Sequence, residues 1–461
     1  MAQGDFSDLT DTIAAMITPP GRGGVGVIRI SGPRCTAIAK ALLGQVPLPR
    51  QAILRPFYHS SGMVIDQGLV IYFPEPNSFT GEEVLELQGH GGPVVMDLLL
   101  EAILQQGARL ASPGEFSQRA FLNGKMDLLQ AEAVADLIEA TTQEAVFSAS
   151  RSLQGEFSQQ IDDLSQALIN CRMYVEAAID FPEEEVDFLS DGKLLLKIET
   201  ILEQIKILLT KAKQGQLLKE GMVVAIVGQP NAGKSSLLNC LTQNETAIVT
   251  PIAGTTRDLV RETIQIEGMP VHLVDTAGIR LQGDLVEQEG IRRAKEQLAL
   301  ANCILLVIDI TQEPHLTDVE LDILNSHGDK VTLILNKMDL VDSSPMEEAL
   351  IEDKGKSYQN KLCFSAKTGF GIHALLTHLK TRMGYQRGEG GILMARRRHL
   401  VALQKTLYHG HEAQKQLAIA KALECAAEEL RLAQCALGEI VGKVTSDDLL
   451  GEIFSRFCIG K

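Results

Sequence analysis

The chain has 461 residues, eight cysteines and a formal net charge of −16. That length suffices for about three domains, and the acidic balance excludes a protein that coats nucleic acid non-specifically. No hydrophobic stretch is long enough to span a bilayer, and Met1 to Thr10 is polar and acidic rather than a signal peptide; a cytoplasmic protein with no membrane partner is expected.

Residues 1–124 predict an α+β domain, with strands at Thr12–Met16, Val25–Ser31, Gly68–Phe73 and Val84–Gln88 and helices at Cys35–Leu43 and Pro93–Gln106. Gly21-Arg22-Gly23-Gly24 reads as a loop between strands, His90 as a residue leading into a helix, and Ser112–Lys125 as a connector. Helical periodicity follows over 125–219: Leu128, Leu129, Val134, Leu137 and Ile138 mark one face, and Ile198, Ile201, Leu202, Ile205 and Leu208 another. Asp180 to Glu185 reads as an acidic bend, because three consecutive carboxylates diverge and make a poor metal site. A region of different character occupies 220–384, after which 385–461 is helical again. Neither helical half is self-sufficient, so one helical domain interrupted by an insert is the economical arrangement. Arg396-Arg397-Arg398-His399 is the densest basic run and is expected to be a solvated helix start; the cysteines, lacking metal-ligand spacing, are expected mostly in the core.

The insert carries the chemistry. Val223–Val227 predicts a buried strand, and Gly228-Gln229-Pro230-Asn231-Ala232-Gly233-Lys234-Ser235 is G-x-x-x-x-G-K-S, followed by Ser236 and a helical segment. In that setting backbone N–H groups converge on phosphates, Lys234 reaches the β- and γ-phosphates and Ser235 holds Mg2+. Asp275-Thr276-Ala277-Gly278 ends a second strand, where Asp275 can hold Mg2+ through water and Gly278 can bond the γ-phosphate. Asn336-Lys337-Met338-Asp339 ends a third. Two acceptors on Asp339 match the N1–H and 2-amino group of guanine, and adenine would leave them unpaired, a costly outcome for a buried carboxylate. Ser365-Ala366-Lys367 supplies a loop over the base. The four elements, in this order and each at a strand end, point to a GTP hydrolase.

Much of the chain, including Asp11-Thr12-Ile13, Pro19 to Gly26, Asn77 to Glu82, Leu87 to Pro93, Pro113 to Phe116, Arg119 to Lys125, the insert and the terminal Cys458-Ile459-Gly460-Lys461, resembles the MnmE (TrmE) family of tRNA-modifying GTPases. The resemblance implies a multidomain α/β fold: an N-terminal folate-binding and dimerising domain, then a helical domain interrupted by a P-loop G domain. It assigns folate contacts to Arg29, Glu86, Lys125 and Lys461. Where a glutamine would orient the attacking water stands Ile279, and the family's water-positioning glutamate matches Glu287. The family's K+ ligands match Asn231, Thr250, Ile252 and Thr255. Thr256 matches the second Mg2+ ligand, and the nucleotide loop also takes in Pro251, Ala253 and Gly254. Further implications are a homodimer, a heterotetramer with the FAD-containing protein MnmG (GidA), tRNA as substrate, and 5,10-methylenetetrahydrofolate or 5-formyltetrahydrofolate as cofactor. Cys458 is a candidate nucleophile. A ribosome-assembly GTPase would be expected to append a basic RNA-binding module, and nothing after Met383 resembles one.

Overall fold

The computed structural model describes residues 11–180, 193–244, 246–247, 262–275, 298–311, 316–341, 360–384, 392–420, 422–444, 447–455 and 457–460. The chain forms two compact units, one of Met1–Ala135, Ser152–Leu202 and Lys405–Lys461, the other of Asp136–Arg151 and Glu203–Gln404.

In the first unit six strands, β1 (Ile13–Met16), β2 (Gly23–Ser31), β3 (Ile53–Tyr58), β4 (Val64–Phe73), β5 (Val84–Gly91) and β6 (Arg109–Leu110), form a sheet in the order β3-β4-β5-β2-β1-β6. All neighbours are antiparallel except the β1–β6 pair. Period-2 alternation sorts the side chains. Ala14, Ile28, Ile30, Leu85 and Leu87 pack with the apolar sides of helices Cys35–Leu43 and Pro93–Leu104. Ile13, Ala15, Phe116 and Phe79 cluster separately. Arg29 lies between Ile28 and Ile30, and Glu86 between Leu85 and Leu87, so both project from the face opposite the two helices.

The structure corrects several sequence expectations here. The supposed connector contains a helix, Glu115–Leu122, whose buried residues include Arg119 and Glu115 beside Phe116 and Ala120. Gly23 and Gly24 belong to β2. His90 sits near the end of β5 rather than leading a helix, with its backbone N–H donating to Asp66 Oδ2 at 2.7 Å and its ring Nδ1 2.8 Å from Asp66 Oδ1. Ile138 is exposed although Leu128 and Leu129 are buried. Of the eight cysteines, Cys35, Cys171, Cys240 and Cys303 are buried, and Cys425 and Cys458 are exposed.

The helical part of this unit packs Ile161, Leu164, Leu168, Cys171 and Val175 of helix Glu156–Asp180 alongside helix Leu423–Val441, with Arg172 donating to Gln434 Oε1 at 2.8 Å. Helix Asp447–Ser455 buries Leu450, Ile453 and Phe454 with Leu128, Ala131 and Phe457. Beyond it the tail is seated: Gly114 N–H donates to the Cys458 carbonyl at 3.4 Å. Gly460 has φ 94, and a Cβ there would meet the Met16 carbonyl oxygen at 2.6 Å.

The second unit holds a seven-stranded sheet in the order β13-β12-β11-β7-β10-β9-β8. Its strands are β7 (Met222–Gly228), β8 (Thr246–Ala247), β9 (Glu262–Ile266), β10 (Met269–Asp275), β11 (Cys303–Asp309), β12 (Val331–Asn336) and β13 (Lys361–Cys363). The five from β13 to β10 run parallel; β9 pairs antiparallel with β10, and β8 antiparallel with β9. Both faces are covered: Val224 and Ile226 point into one core with Leu237, Leu241 and Leu375, while Ala225 and Val227 point into another with Ile323, Leu324 and Leu333. A parallel sheet buried on both sides needs such continuous apolar strands. Ile205 and Leu208 of helix Lys193–Glu220 are buried, as their spacing predicts. Arg396 is not a solvated helix start. It is half-buried and donates to Asp136 Oδ1 at 2.8 Å, and Lys219 bonds the same carboxylate.

Candidate functional site

In an open α/β sheet, ligands bind beyond the carboxyl ends of the strands, where chain order reverses. That point here lies beside β7, which has β11 on one side and β10 on the other. The phosphate loop leaves β7 and enters helix Lys234–Asn244, whose first turn presents backbone N–H groups. Three residues of the loop have positive φ: Gly228 at 149, Asn231 at 66 and Gly233 at 97. Lys234 is buried, and its Nζ donates to the carbonyls of Gly228 at 2.8 Å and Gln229 at 2.6 Å, holding the ammonium within the curl. Ala232 is buried in the loop, whereas Asn231, Ser235 and Ser236 are exposed along it.

Asn336, at the end of β12, is a strut. Its Nδ2 donates to Ala232 O at 2.8 Å, and its Oδ1 accepts from Ala366 N–H at 3.1 Å, so one buried amide ties the phosphate loop to the loop after β13. A Cβ on Gly233 would lie 2.1 Å from that Nδ2. Lys337 is in the left-handed region at φ 69 and opens the short turn Met338–Leu340 that carries Asp339. Ser365 is buried and its hydroxyl donates to Asp339 Oδ1 at 2.6 Å; Lys367 is exposed. The structure therefore brings Asn231 to Ser236, Asn336, Lys337, Asp339 and Ser365 to Lys367 to one edge of the sheet. Asp275 ends β10 next to them, its backbone registered with Ile226. Thr250, Pro251, Ile252, Ala253, Gly254, Thr255, Thr256, Thr276, Ala277, Gly278 and Glu287 lie outside the described residues.

Two further residues join this edge without having been singled out in the sequence. Glu320 is buried, accepts from Thr317 in a capping box at the start of helix Asp318–His327, and accepts from Gln229 Nε2 of the phosphate loop at 3.3 Å. The T-x-x-E pattern was the available signal. Asp309 ends β11 and pairs with Lys337 at 2.5 Å. Burial raises its pKa, but the Lys337 ammonium and the Thr311 hydroxyl and N–H outweigh that and hold it below the ordinary 3.8.

In the other unit, Arg29 and Glu86 are cross-strand partners, with Nε 2.9 Å from Glu86 Oε1. The Arg29 guanidinium lies 4.8 Å from the Phe79 ring centroid and 5.8 Å from that of Phe116. Arg29 is also registered with Ala15, one residue from Met16, whose carbonyl the Gly460 segment approaches. The Gly460 segment thus runs beside the end of β1, the strand that pairs with β2. Lys125 Nζ donates to the Pro76 carbonyl at 3.1 Å, in the loop that carries Phe79. Cys458 is exposed; Lys461 lies outside the described residues. A neighbouring cavity of about 300 Å³ is lined by Glu75, Glu82, Glu83, Arg119 and Asn123, among others. Arg119 there is wholly buried and bonds Asp11, Glu82 and Glu115.

Comparison with known proteins decides the family. The family described as GTP-binding protein TrmE N-terminus matches residues 12–125, and the one described as MnmE helical domain matches residues 128–458. A tRNA modification GTPase MnmE from Hydrogenovibrio crunogenus is 55% identical over 458 residues, covering 99% of this chain and 100% of that one. This chain belongs to the MnmE family. One from Proteus mirabilis is 53% identical, covering 98% of this chain and 99% of the relative. Among solved structures, Era of Aquifex aeolicus bound to GDP and AlF4- is 28% identical, covering 41% of this chain and 66% of that one with a TM-score of 0.29. As an MnmE protein it is a multidomain α/β enzyme, a GTP hydrolase acting in tRNA modification. Among the described residues no helix is long and apolar enough to cross a membrane.

Proposed function

We propose that this MnmE protein is a K+-activated GTPase that acts in the cytoplasm as a homodimer. It works in a heterotetramer with the FAD-containing MnmG (GidA) on the wobble uridine of certain tRNAs. The product is an aminomethyl or carboxymethylaminomethyl group at C5, and the cofactor, 5,10-methylenetetrahydrofolate or 5-formyltetrahydrofolate, supplies the one-carbon unit when bound. The observation that carries the folate reading is the Arg29–Glu86 pair beneath Phe79 on the sheet face opposite the helices. This donor set fits the group: a guanidinium for a carboxylate, a carboxylate for pterin N–H groups, and aromatic rings alongside. Lys125 and Lys461 complete the cationic end, and Cys458, exposed on the seated tail, is the candidate nucleophile toward the uridine.

On the GTPase side, Lys234 and the loop N–H groups hold the phosphates, Ser235 and Thr256 hold Mg2+, and Asp339 reads the base. The Ile279 side chain has no polar atom with which to orient water, so Glu287 takes that role. Asn231 presents an exposed amide from a left-handed residue, which suits an oxygen ligand for a monovalent cation. Thr250, Ile252 and Thr255 would supply the remaining oxygens, and a K+ held there would offset charge growing on the γ-phosphate. Residues 220–384 are the G domain, and 125–219 with 385–461 are the helical domain that passes its opening and closing to the folate-binding residues 1–124.

Nucleoside mass spectrometry of bulk tRNA from cells with and without the gene tests the modification. Loss of the C5-modified wobble uridine is expected, and unchanged uridines refute it. Replacing K+ by Na+ is expected to lower GTP hydrolysis sharply; equal rates would remove Asn231 from the metal site.

A further inference from the structure

We infer that Asp309 is a positioning residue for base recognition: it fixes Lys337, and through Lys337 the turn that carries Asp339. The inference rests on reading Asp339 as the group that pairs with guanine. Asp309 and Asn336 are register partners at the ends of adjacent parallel strands, and Ile310 N–H donates to the Asn336 carbonyl at 3.2 Å. The chain after β12 therefore leaves from a point level with the Asp309 carboxylate. Lys337 then adopts φ 69 and ψ 32, a left-handed conformation that is unfavourable for a residue with a Cβ and persists where surrounding contacts impose it.

The contact that imposes it is specific. The Asp309 side chain is 9% exposed and its Oδ2 meets Lys337 Nζ at 2.5 Å. The other oxygen, Oδ1, accepts from Thr311 N–H at 3.0 Å and from the Thr311 hydroxyl at 2.7 Å, which fixes the rotamer. With its far end held, the lysine stem cannot swing. The peptide that follows is set in the direction that puts Asp339 within 2.6 Å of the Ser365 hydroxyl. Asn336 cannot do this itself, because both ends of its amide are committed to Ala232 and Ala366. Asn336, the Met338 N–H that donates to the Phe364 carbonyl at 3.2 Å, and the Asp309–Lys337 pair thus fix the base-reading turn, and only the last is an ion pair.

Asp309→Asn keeps the shape and removes the charge. With a fluorescent GDP analogue and the full-length protein, it is expected to weaken Kd about tenfold, the scale of one charge-assisted hydrogen bond. Lys337→Ala is expected to cost at least as much, and the double variant no more than Lys337→Ala alone, since Asp309 acts through the lysine. An unchanged Kd in Asp309→Asn, or penalties that multiply in the double variant, would overturn the inference. Should Asp309→Asn fail to fold by circular dichroism, Thr311→Val tests the same chain of contacts. A loss of about two- to threefold that vanishes in the Lys337→Ala background supports it, and no loss overturns it. Asp339→Asn serves as the reference and is expected to turn preference from guanine toward xanthine nucleotides. If preference does not move, the base-reading role of Asp339 fails; if it moves while Asp309→Asn binds normally, only the present inference fails.

Discussion

Replacing Arg119 by methionine tests how the N-terminal sheet holds its loops. The side chain is wholly buried, and its guanidinium donates to the Asp11 carbonyl at 2.8 Å, Asp11 Oδ1 at 2.6 Å, Glu115 Oε1 at 2.9 Å and Glu82 at 3.1 and 3.2 Å. The three carboxylates are not left in the same position by its loss. Glu115 retains Arg109 at 2.6 and 2.8 Å and the Ser112 N–H at 2.8 Å. Asp11 keeps Arg109 and is 37% exposed at its side chain, so water replaces much of what it loses. Glu82, 17% exposed, keeps the Ser31 hydroxyl at 2.6 Å but loses the guanidinium. Breaking a buried pair in this way costs about 3–5 kcal/mol, most of it from the stranded charge. Arg119→Met is expected to lose that much, and Glu82→Gln in the same chain to return about 1–2 kcal/mol, because a neutral amide is cheaper to bury. Amide hydrogen exchange over residues 11–31 and 109–122 reads this locally, which suits a chain of two units better than one melting temperature. Protection within about 1 kcal/mol of wild type, or no recovery in the double variant, refutes the reasoning.

Gly233→Ala combines the strain of φ 97 with a Cβ 2.1 Å from Asn336 Nδ2. Strain and a broken buried hydrogen bond together cost about 2–5 kcal/mol, so GDP affinity should fall roughly thirtyfold or more, and a change under about threefold would contradict the strut role of Asn336. The two units should lose stability in different pH windows. In the first, burial raises the pKa values of Glu115 and Asp11, but Arg109 and Arg119 hold both below their ordinary 4.5 and 3.8. Their stabilisation is present above those ordinary values and is lost as pH falls through the lower folded ones, because the unfolded chain binds more protons. In the second, burial depresses the pKa values of His272 and His378 below 6.5, so loss begins as soon as pH drops under about 6.5. Exchange measured from pH 7 to pH 3 should show the β7–β13 sheet loosening first; the reverse order would contradict the assignment. Glu86→Gln removes one charge-assisted partner from the folate site and should weaken 5-formyltetrahydrofolate binding about tenfold in a fluorescence titration, whereas unaltered binding would take Glu86 out of that site.

What could be read from the sequence follows from where the physical signal is local. Strand β7 and the phosphate loop are contiguous, and the strands that end in a functional residue are mostly apolar runs, broken only by His272 in β10 and Thr332 in β12, so motif and element declare each other. Arg29 and Glu86 stood out only through the family resemblance; that they share a face becomes visible once β2 and β5 are known to pair. Strand β3 carries Pro56, which removes a ladder donor and is tolerated because β3 is an edge strand, a fact that only the pairing reveals. Helix Glu115–Leu122 went unrecognised for a related reason: its buried side includes Glu115, Ser117 and Arg119, so polarity along the sequence misreports burial. Those charges are inside because they neutralise one another and Asp11 across 108 positions of chain. The Asp309–Lys337 pair hides in the same way, across 28 positions. Residues that touch the ligand can thus be found one motif at a time. The residues that hold them in place sit at the ends of neighbouring strands, and their partners are known only once strand order is known.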